Sequence, residues 1–251
     1  MDFHLQNRVV LVTGGSGDIG AATATTFARE GAKVAVSWHT RPDRAEAVVA
    51  AIRKSGGAAL GVQLDQGDPE SINRAVATVT DALGDVDVLV GNAVSWPDRE
   101  QSWDSLIHGL TVNIAGTVTL AEAVLTGMRT RHWGRVVLVS SDVVDQPMPA
   151  AAGYPAGKAA IEAAARVFAL REAPHGVLTN VVRPGFTLTD RALTFPGFGQ
   201  EVVDAEAEKT PTRRICTPED VASVIAYLGS SANDHVNGEI VSVAGGRHLT
   251  R

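Results

Sequence analysis

The sequence predicts an α/β fold, a doubly wound parallel sheet of seven strands with helices on both faces. Three observations carry this. Short β-branched apolar runs alternate with Ala-rich helical patterns along the chain. The runs are apolar nearly throughout rather than at every second residue, as a sheet covered on both faces requires. The first run leads directly into a glycine-rich turn. Alternation of this kind implies βαβ crossovers, which are right-handed.

The predicted strands cover 9–13, 33–38, 59–64, 87–91, 135–140, 176–183 and 239–243. The predicted helices cover 19–30, 43–55, 69–83, 101–130, 154–173 and 218–229. Two helix starts are marked. Asp68 precedes Pro69, and Thr217 precedes Pro218. A capping oxygen followed by proline at the first helical position is a start signal. The irregular stretch is 187–213, with Pro196, Gly197, Gly199 and Pro211. It reads as a loop or lid, a usual home for specificity. No repeat or linker divides the chain, so residues 1–251 are expected to form one domain.

The chain has 251 residues, 45% of them apolar, with a net charge of −6 and a pI near 5.6. This balance argues against nucleic acid as a partner, since duplex binders present a basic face. The densest basic patch, Arg129 to Arg135, is short. It reads as a solvated helix end or as a docking spot for an acidic partner. Cys216 is the single cysteine, which excludes an internal disulfide; it reads as structural. No run of ~20 apolar residues is present, so no membrane partner is expected. No signal layout opens the chain. A cytoplasmic protein is the expectation.

In the turn after the first strand, Gly15, Gly17 and Gly20 follow the spacing G-x-G-x-x-G. Such glycines allow a tight turn and let backbone approach a pyrophosphate at a helix N-terminus. Strand before and helix after give the match its weight, and the sheet is then of the Rossmann type. The next strand ends in Ser37-Trp38-His39-Thr40-Arg41, with no acid to repel a 2′-phosphate. Arg41 can pair with such a phosphate bidentately. NADP(H) is therefore favoured over NAD(H), which stays open, and His39 and Arg41 read otherwise as a solvated loop.

Tyr154 lies four residues before Lys158, with Pro155 between them. On a helix these two share a face. A free phenol ionises near ~10, and a value near ~7 requires about 4 kcal/mol of added stabilisation of phenolate. A nearby ammonium can contribute to it, and the phenol can then exchange a proton with a carbonyl oxygen. Ser141 ends a predicted strand thirteen residues before Tyr154. Carboxyl-edge strand ends face the ligand crevice of such sheets.

At this point the chain resembles the short-chain dehydrogenase/reductase family over nearly its whole length. It is most similar to the 3-oxoacyl-[acyl-carrier-protein] reductase branch. The matching pieces are TGGSGDIG at 13–20, Leu64-Asp65, Gly91-Asn92-Ala93, Val112-Asn113, Ser140-Ser141, YPAGK at 154–158, RPGFTLTD at 183–190 and NGEIVSVAGG at 237–246. The resemblance implies that Tyr154 is the general acid/base. Lys158 binds the nicotinamide ribose and lowers the pKa of the tyrosine. Ser141 orients the carbonyl, and Asn113 helps hold a water that relays protons to Lys158. Alone, Asn113 would read as an ordinary polar helix residue.

For the cofactor it implies the turn Gly14, Gly15, Ser16, Gly17, Asp18, Ile19 and Gly20. Trp38, His39 and Arg41 lie at the ribose selector, with Leu64 and Asp65 at the adenine. Asn92 and Ala93 lie by the adenosine ribose, Tyr154 and Lys158 at the nicotinamide. Pro184, Gly185, Thr187 and Thr189 hold the carboxamide and phosphates. Three departures stand out, the first being that Gly17 stands where NADP enzymes of this branch often carry a basic residue, which weakens the case for NADP(H). Asp18 occupies a position where this branch usually has glycine, and it either caps the following helix or faces the pyrophosphate. Val94 replaces the last glycine of the family's Asn-Asn-Ala-Gly turn.

Candidate substrate residues are Val94, Trp96, Ser141, Val143, Met148, Phe186, Phe195 and Phe198, with Pro147 and Leu188 beside them. This mostly apolar set suits an acyl, polyketide or alicyclic ketone, and each member alone reads equally as core. No dedicated carboxylate clamp is legible; Arg191, Arg213 and Arg214 are the available cations. The expected activity is NADPH-dependent reduction of a small-molecule or acyl-carrier-bound carbonyl. The alternatives are an alcohol dehydrogenase running oxidatively and a non-catalytic NADP sensor. The family implies a homotetramer, or a dimer, joined through the long helices and the C-terminal segment. No metal is expected.

Overall fold

The structure, a computed structural model, describes residues 2–96, 98, 102–147 and 152–250. Seven parallel strands form one sheet in the order β3-β2-β1-β4-β5-β6-β7. They are β1 (Val9–Val12), β2 (Lys33–Trp38), β3 (Ala58–Gln63), β4 (Val88–Gly91), β5 (Gly134–Val139), β6 (Val177–Pro184) and β7 (Ile240–Val243). Each lies within a residue or two of its expected span. The helices that cross over are α1 (Asp18–Arg29), α2 (Pro42–Lys54), α3 (Pro69–Leu83), α4 (Trp103–Leu110), α5 (Thr117–Arg131) and α6 (Gly153–Glu172).

Both faces of the sheet are buried, which is why the strands read as apolar throughout. Ile72, Leu120, Leu125 and Phe168 from α3, α5 and α6 cover one face. Phe27, Ile52 and Ile225 cover the other, from α1, α2 and the C-terminal helix. Both expected caps form. The Asp68 carboxylate accepts from Glu70 N at 2.9 Å. Thr217 and Asp220 make a reciprocal capping box, with Pro218 at the first helical position.

The structure corrects the sequence in two places. The long helix expected over 101–130 is not uniform. A π-helical segment, Thr111–Gly116, separates α4 from α5 and carries Asn113. The whole helix, Trp103–Arg131, is long and apolar enough to cross a membrane by length and composition alone. Leu120, Val124, Leu125 and Met128 instead place its second half in the core. The lid over 187–213 is not structureless. It holds α7 (Asp190–Thr194) and α8 (Gln200–Lys209), followed by α9 (Pro218–Leu228). Pro196, Gly197 and Gly199 interrupt the periodic pattern between them, with Gly197 and Gly199 at positive φ.

The strand order reverses between β1 and β4. Crevices in open α/β sheets lie outside the carboxyl ends of strands at such a switch point. The turns after β1, β4, β5 and β6 all open there.

Candidate active site

The turn after β1 is built for backbone approach. Gly14 sits at φ +58, and its amide donates to Ser37 Oγ at 3.1 Å. A β-carbon on Gly20 would fall 2.2 Å from the Gly14 carbonyl oxygen, so only glycine lets α1 start there. At Gly17 a β-carbon would meet nothing nearer than 3.5 Å. Gly17 is the N-cap of α1 and offers no side-chain cap. The first amides of α1 thus lack a side-chain acceptor beside open space, which fits a pyrophosphate. Ser16 and Ile19 fill out the turn, Ile19 packing on the core below.

Asn92, expected over the adenosine ribose, is spent as a brace. Its Nδ2 donates to the carbonyls of Thr13 at 3.0 Å and Gly14 at 3.2 Å. The amides of Asn92 and Ala93 both donate to Thr13 Oγ1 at 2.9 Å. Asp18 neither caps α1 nor stands free. Its Oδ2 accepts from the Asp190 amide at 2.9 Å, across 172 residues, and so ties the glycine turn to the first lid helix. Arg44 adds an ion pair to Asp190 at 3.3 Å.

At the adenosine end the polar residues are partnered within the chain. Arg41 forms a two-pronged pair with Asp43, at 2.9 and 3.2 Å, on the exposed surface. Asp65 faces His39 at 3.4 Å and accepts from Gly67 N at 2.7 Å. Trp38 ends β2 beside Leu64, whose amide donates to the Trp38 carbonyl. Arg41 must therefore share its fork with Asp43 if it is to meet a phosphate.

The catalytic candidates converge where β4 and β5 end. Tyr154 is the second residue of α6. A Ser141 hydrogen bond draws its pKa down, but burial dominates and pushes the phenol up to about 12. Lys158 lies one turn on, 5% exposed, with Nζ 5.7 Å from the Tyr154 ring centre. Nζ donates to the Val139 carbonyl at 2.6 Å. Burial lowers this ammonium to about 8, opposed by Glu162. The ammonium is turned to Val139, and burial sets the balance at the phenol, which holds its proton.

Asn113 is 6% exposed, and its side chain bonds the turn after β4. Its Oδ1 accepts from Ser95 N at 2.7 Å and its Nδ2 donates to Ser95 O at 2.9 Å. The side-chain amide therefore fixes that turn. A π-helical segment at a functional residue is a recurrent arrangement.

Trp96 lies over Tyr154, ring centres 4.7 Å apart. Phe186 and Phe195 each contact Phe198 at 5.6 Å, so the three pack on one another as the base of the lid. Val94 and Val143 are half-buried in the turns beside the site. Met148 lies outside the described residues. Thr189 caps α7 through Ala192 N, and Thr187 Oγ1 donates to Gly185 O at 2.8 Å. Both hydroxyls expected on the cofactor thus have local partners. Pro184 ends β6 and Gly185 follows it, where a β-carbon would press on Ala244 at 2.9 Å.

Two acids beside the site escaped the sequence. Glu162, 4% exposed, accepts from Ser140 Oγ at 2.6 Å and from Arg183 at 2.7 Å on both prongs. This pair forms a buried floor one turn beyond Lys158, and the i,i+4 spacing was its one signal. Asp142 follows Ser141. It accepts from Ser141 Oγ at 3.4 Å, and burial raises its pKa. The basic patch near Arg129 is no free docking spot: Arg129 pairs with Glu172 and Arg131 with Asp85. Cys216 is buried as expected and donates to Val243 O.

Comparison with known proteins gives the family. The family model described as enoyl-(acyl carrier protein) reductase matches residues 15–248. The chain is 36% identical over 252 residues to the short-chain reductase protein NovJ of Streptomyces niveus, covering 96% of this chain and 94% of that one. It is 34% identical over 250 residues to the 3-oxoacyl-[acyl-carrier-protein] reductase FabG of Aquifex aeolicus, covering 98% and 99%. Among solved structures, a short-chain dehydrogenase from Burkholderia cenocepacia in complex with NADP superposes with a TM-score of 0.86. It shares 32% identity, over 97% of this chain and 98% of the other. The chain belongs to the short-chain dehydrogenase/reductase family, in its 3-oxoacyl-[acyl-carrier-protein] reductase-like branch, and is an NAD(P)-dependent oxidoreductase.

Proposed function

We propose that this protein is an NADPH-dependent ketoreductase acting on an apolar ketone or 3-oxoacyl thioester. The observation that carries the reading is the meeting of Ser141, Tyr154 and Lys158 where β5 ends. NADPH, when bound, supplies the hydride. Ser141 Oγ donates to the substrate carbonyl oxygen and fixes its orientation. Tyr154 gives its proton to that oxygen as negative charge develops there. A phenol held near 12 is fully protonated at neutral pH, so the acid form needed for reduction is the resting form. Lys158 keeps a positive charge below pH 8 within one turn of the tyrosine. Asn113, through Ser95, holds the turn that carries Trp96 over the phenol.

The relative in complex with NADP and the absence of an acid at the end of β2 both support NADPH over NADH. A non-catalytic sensor has no use for a buried tyrosine–lysine pair. We further propose a homotetramer, with a dimer as the smaller assembly. Val167 and Leu170 on α6 are 57% and 82% exposed, an apolar surface suited to a second copy.

The test follows NADPH absorbance with 3-oxoacyl thioesters and cyclic ketones. Tyr154→Phe should slow turnover by ~10²–10⁴. Equal rates in the variant would remove Tyr154 from the mechanism. Light scattering on the eluting protein reads the assembly, and a monomer would refute it.

A further inference from the structure

We infer that the substrate carries a carboxylate close to its reacting carbonyl, and that Arg191 receives it. This rests on the ketoreductase reading and narrows it from apolar ketones to oxo acids with an apolar body.

Three arginines lie in or beside the lid, and two of them are spent. Arg214 pairs with Asp220 through both prongs. Arg213 is exposed and donates to the Glu208 carbonyl at 2.9 Å. Arg191 differs. Its guanidinium carbon lies 4.3 Å from the Trp96 ring centre and 3.9 Å from that of Phe195. The adjacent carboxylate, Asp190, is turned to Arg44. Among the described residues, no carboxylate lies within ion-pair distance of Arg191. Burial without an anion lowers its pKa.

A guanidinium carried over two aromatic rings, with no carboxylate in reach among the described residues, leaves its N–H edge available to an anion. That edge matches a carboxylate bidentately. The position of the edge identifies the occupant. Trp96 carries Arg191 on its ring and also packs on Tyr154. The cation is thus one indole away from the proton donor and lies within electrostatic reach of it. The phosphate side of the cleft is held instead by the start of α7, where Asp190 N meets Asp18. Arg191 points from that helix toward the phenol, so its anion belongs to the substrate rather than to the cofactor.

The experiment compares phenylglyoxylate and 4-oxopentanoate with their methyl esters, at saturating NADPH. For the wild type, kcat/KM of at least one acid should exceed that of its ester by roughly 10- to 100-fold. In Arg191→Met the acid-to-ester ratio should fall to about one, chiefly through KM of the acid. Arg191→Lys should keep part of it. Calorimetric titration of the same four compounds into the NADP⁺-loaded protein gives a readout independent of turnover. Acid-selective binding lost in Arg191→Met, with no ketone reduced, would sink the ketoreductase reading and leave the anion site standing. Equal rates and equal affinities for acid and ester would overturn the inference. So would an Arg191→Met variant that binds NADPH more weakly at an unchanged acid-to-ester ratio.

Discussion

Replacing Lys158 with methionine removes a charge from one of the driest places in the molecule. Burial lowers the ammonium from 10.5 to about 8. At ~1.36 kcal/mol per unit this is about 3 kcal/mol against the native state, felt in full where both folded and unfolded chains hold the proton. That condition is met below pH 8. Between pH 8 and 10.5 the unfolded chain binds more protons than the folded one, so native stability rises with pH. Above 10.5 the burden is gone. The variant also loses the bond to Val139 O, which costs about 1–3 kcal/mol and varies little with pH. The advantage of the variant over wild type should therefore shrink by about 2–3 kcal/mol from pH 7 to pH 10. Urea unfolding followed by circular dichroism at half-unit pH steps measures it. Parallel pH profiles for the two proteins would refute the reasoning, because they would mean that Lys158 carries no desolvation burden.

Further substitutions separate the parts of the site. Gly17→Ala has room for its methyl group and should fold normally, yet lose roughly tenfold or more in NADPH affinity, because the backbone can no longer approach the pyrophosphate. Gly20→Ala meets the Gly14 carbonyl and should lose about 1–3 kcal/mol of stability, read as a lower Tm. Glu162→Gln leaves Arg183 with Asp145 alone and should cost about 3 kcal/mol in denaturant unfolding. It should also shift the pH dependence of turnover downward, since Glu162 raises the pKa of Lys158. An unchanged profile would show that Glu162 is not coupled to the lysine.

The strands were legible because burial on both faces leaves a continuous apolar run, as in VVLV of β1 and RVVLV of β5. Tyr154, Lys158 and Ser141 were legible as a motif whose spacing a helix and a strand end bring together. Their partners were not. Asn113 grips Ser95, and Asn92 grips Thr13 and Gly14, because a side chain's bonds depend on distant backbone. Glu162 and Asp142 look like surface acids in a sequence; only the fold buries them. The five-residue α7 is too short for any periodic signal, so the tie from Asp18 to Asp190 could not be foreseen.

The most direct measurement uses NADPH carrying deuterium at the transferable position, a ketone substrate and mass spectrometry of the product. The account predicts an alcohol with one deuterium on the former carbonyl carbon, formed rapidly by wild type and ~10²–10⁴-fold more slowly by Tyr154→Phe. An alcohol without the label, or one formed equally fast by both proteins, would contradict it.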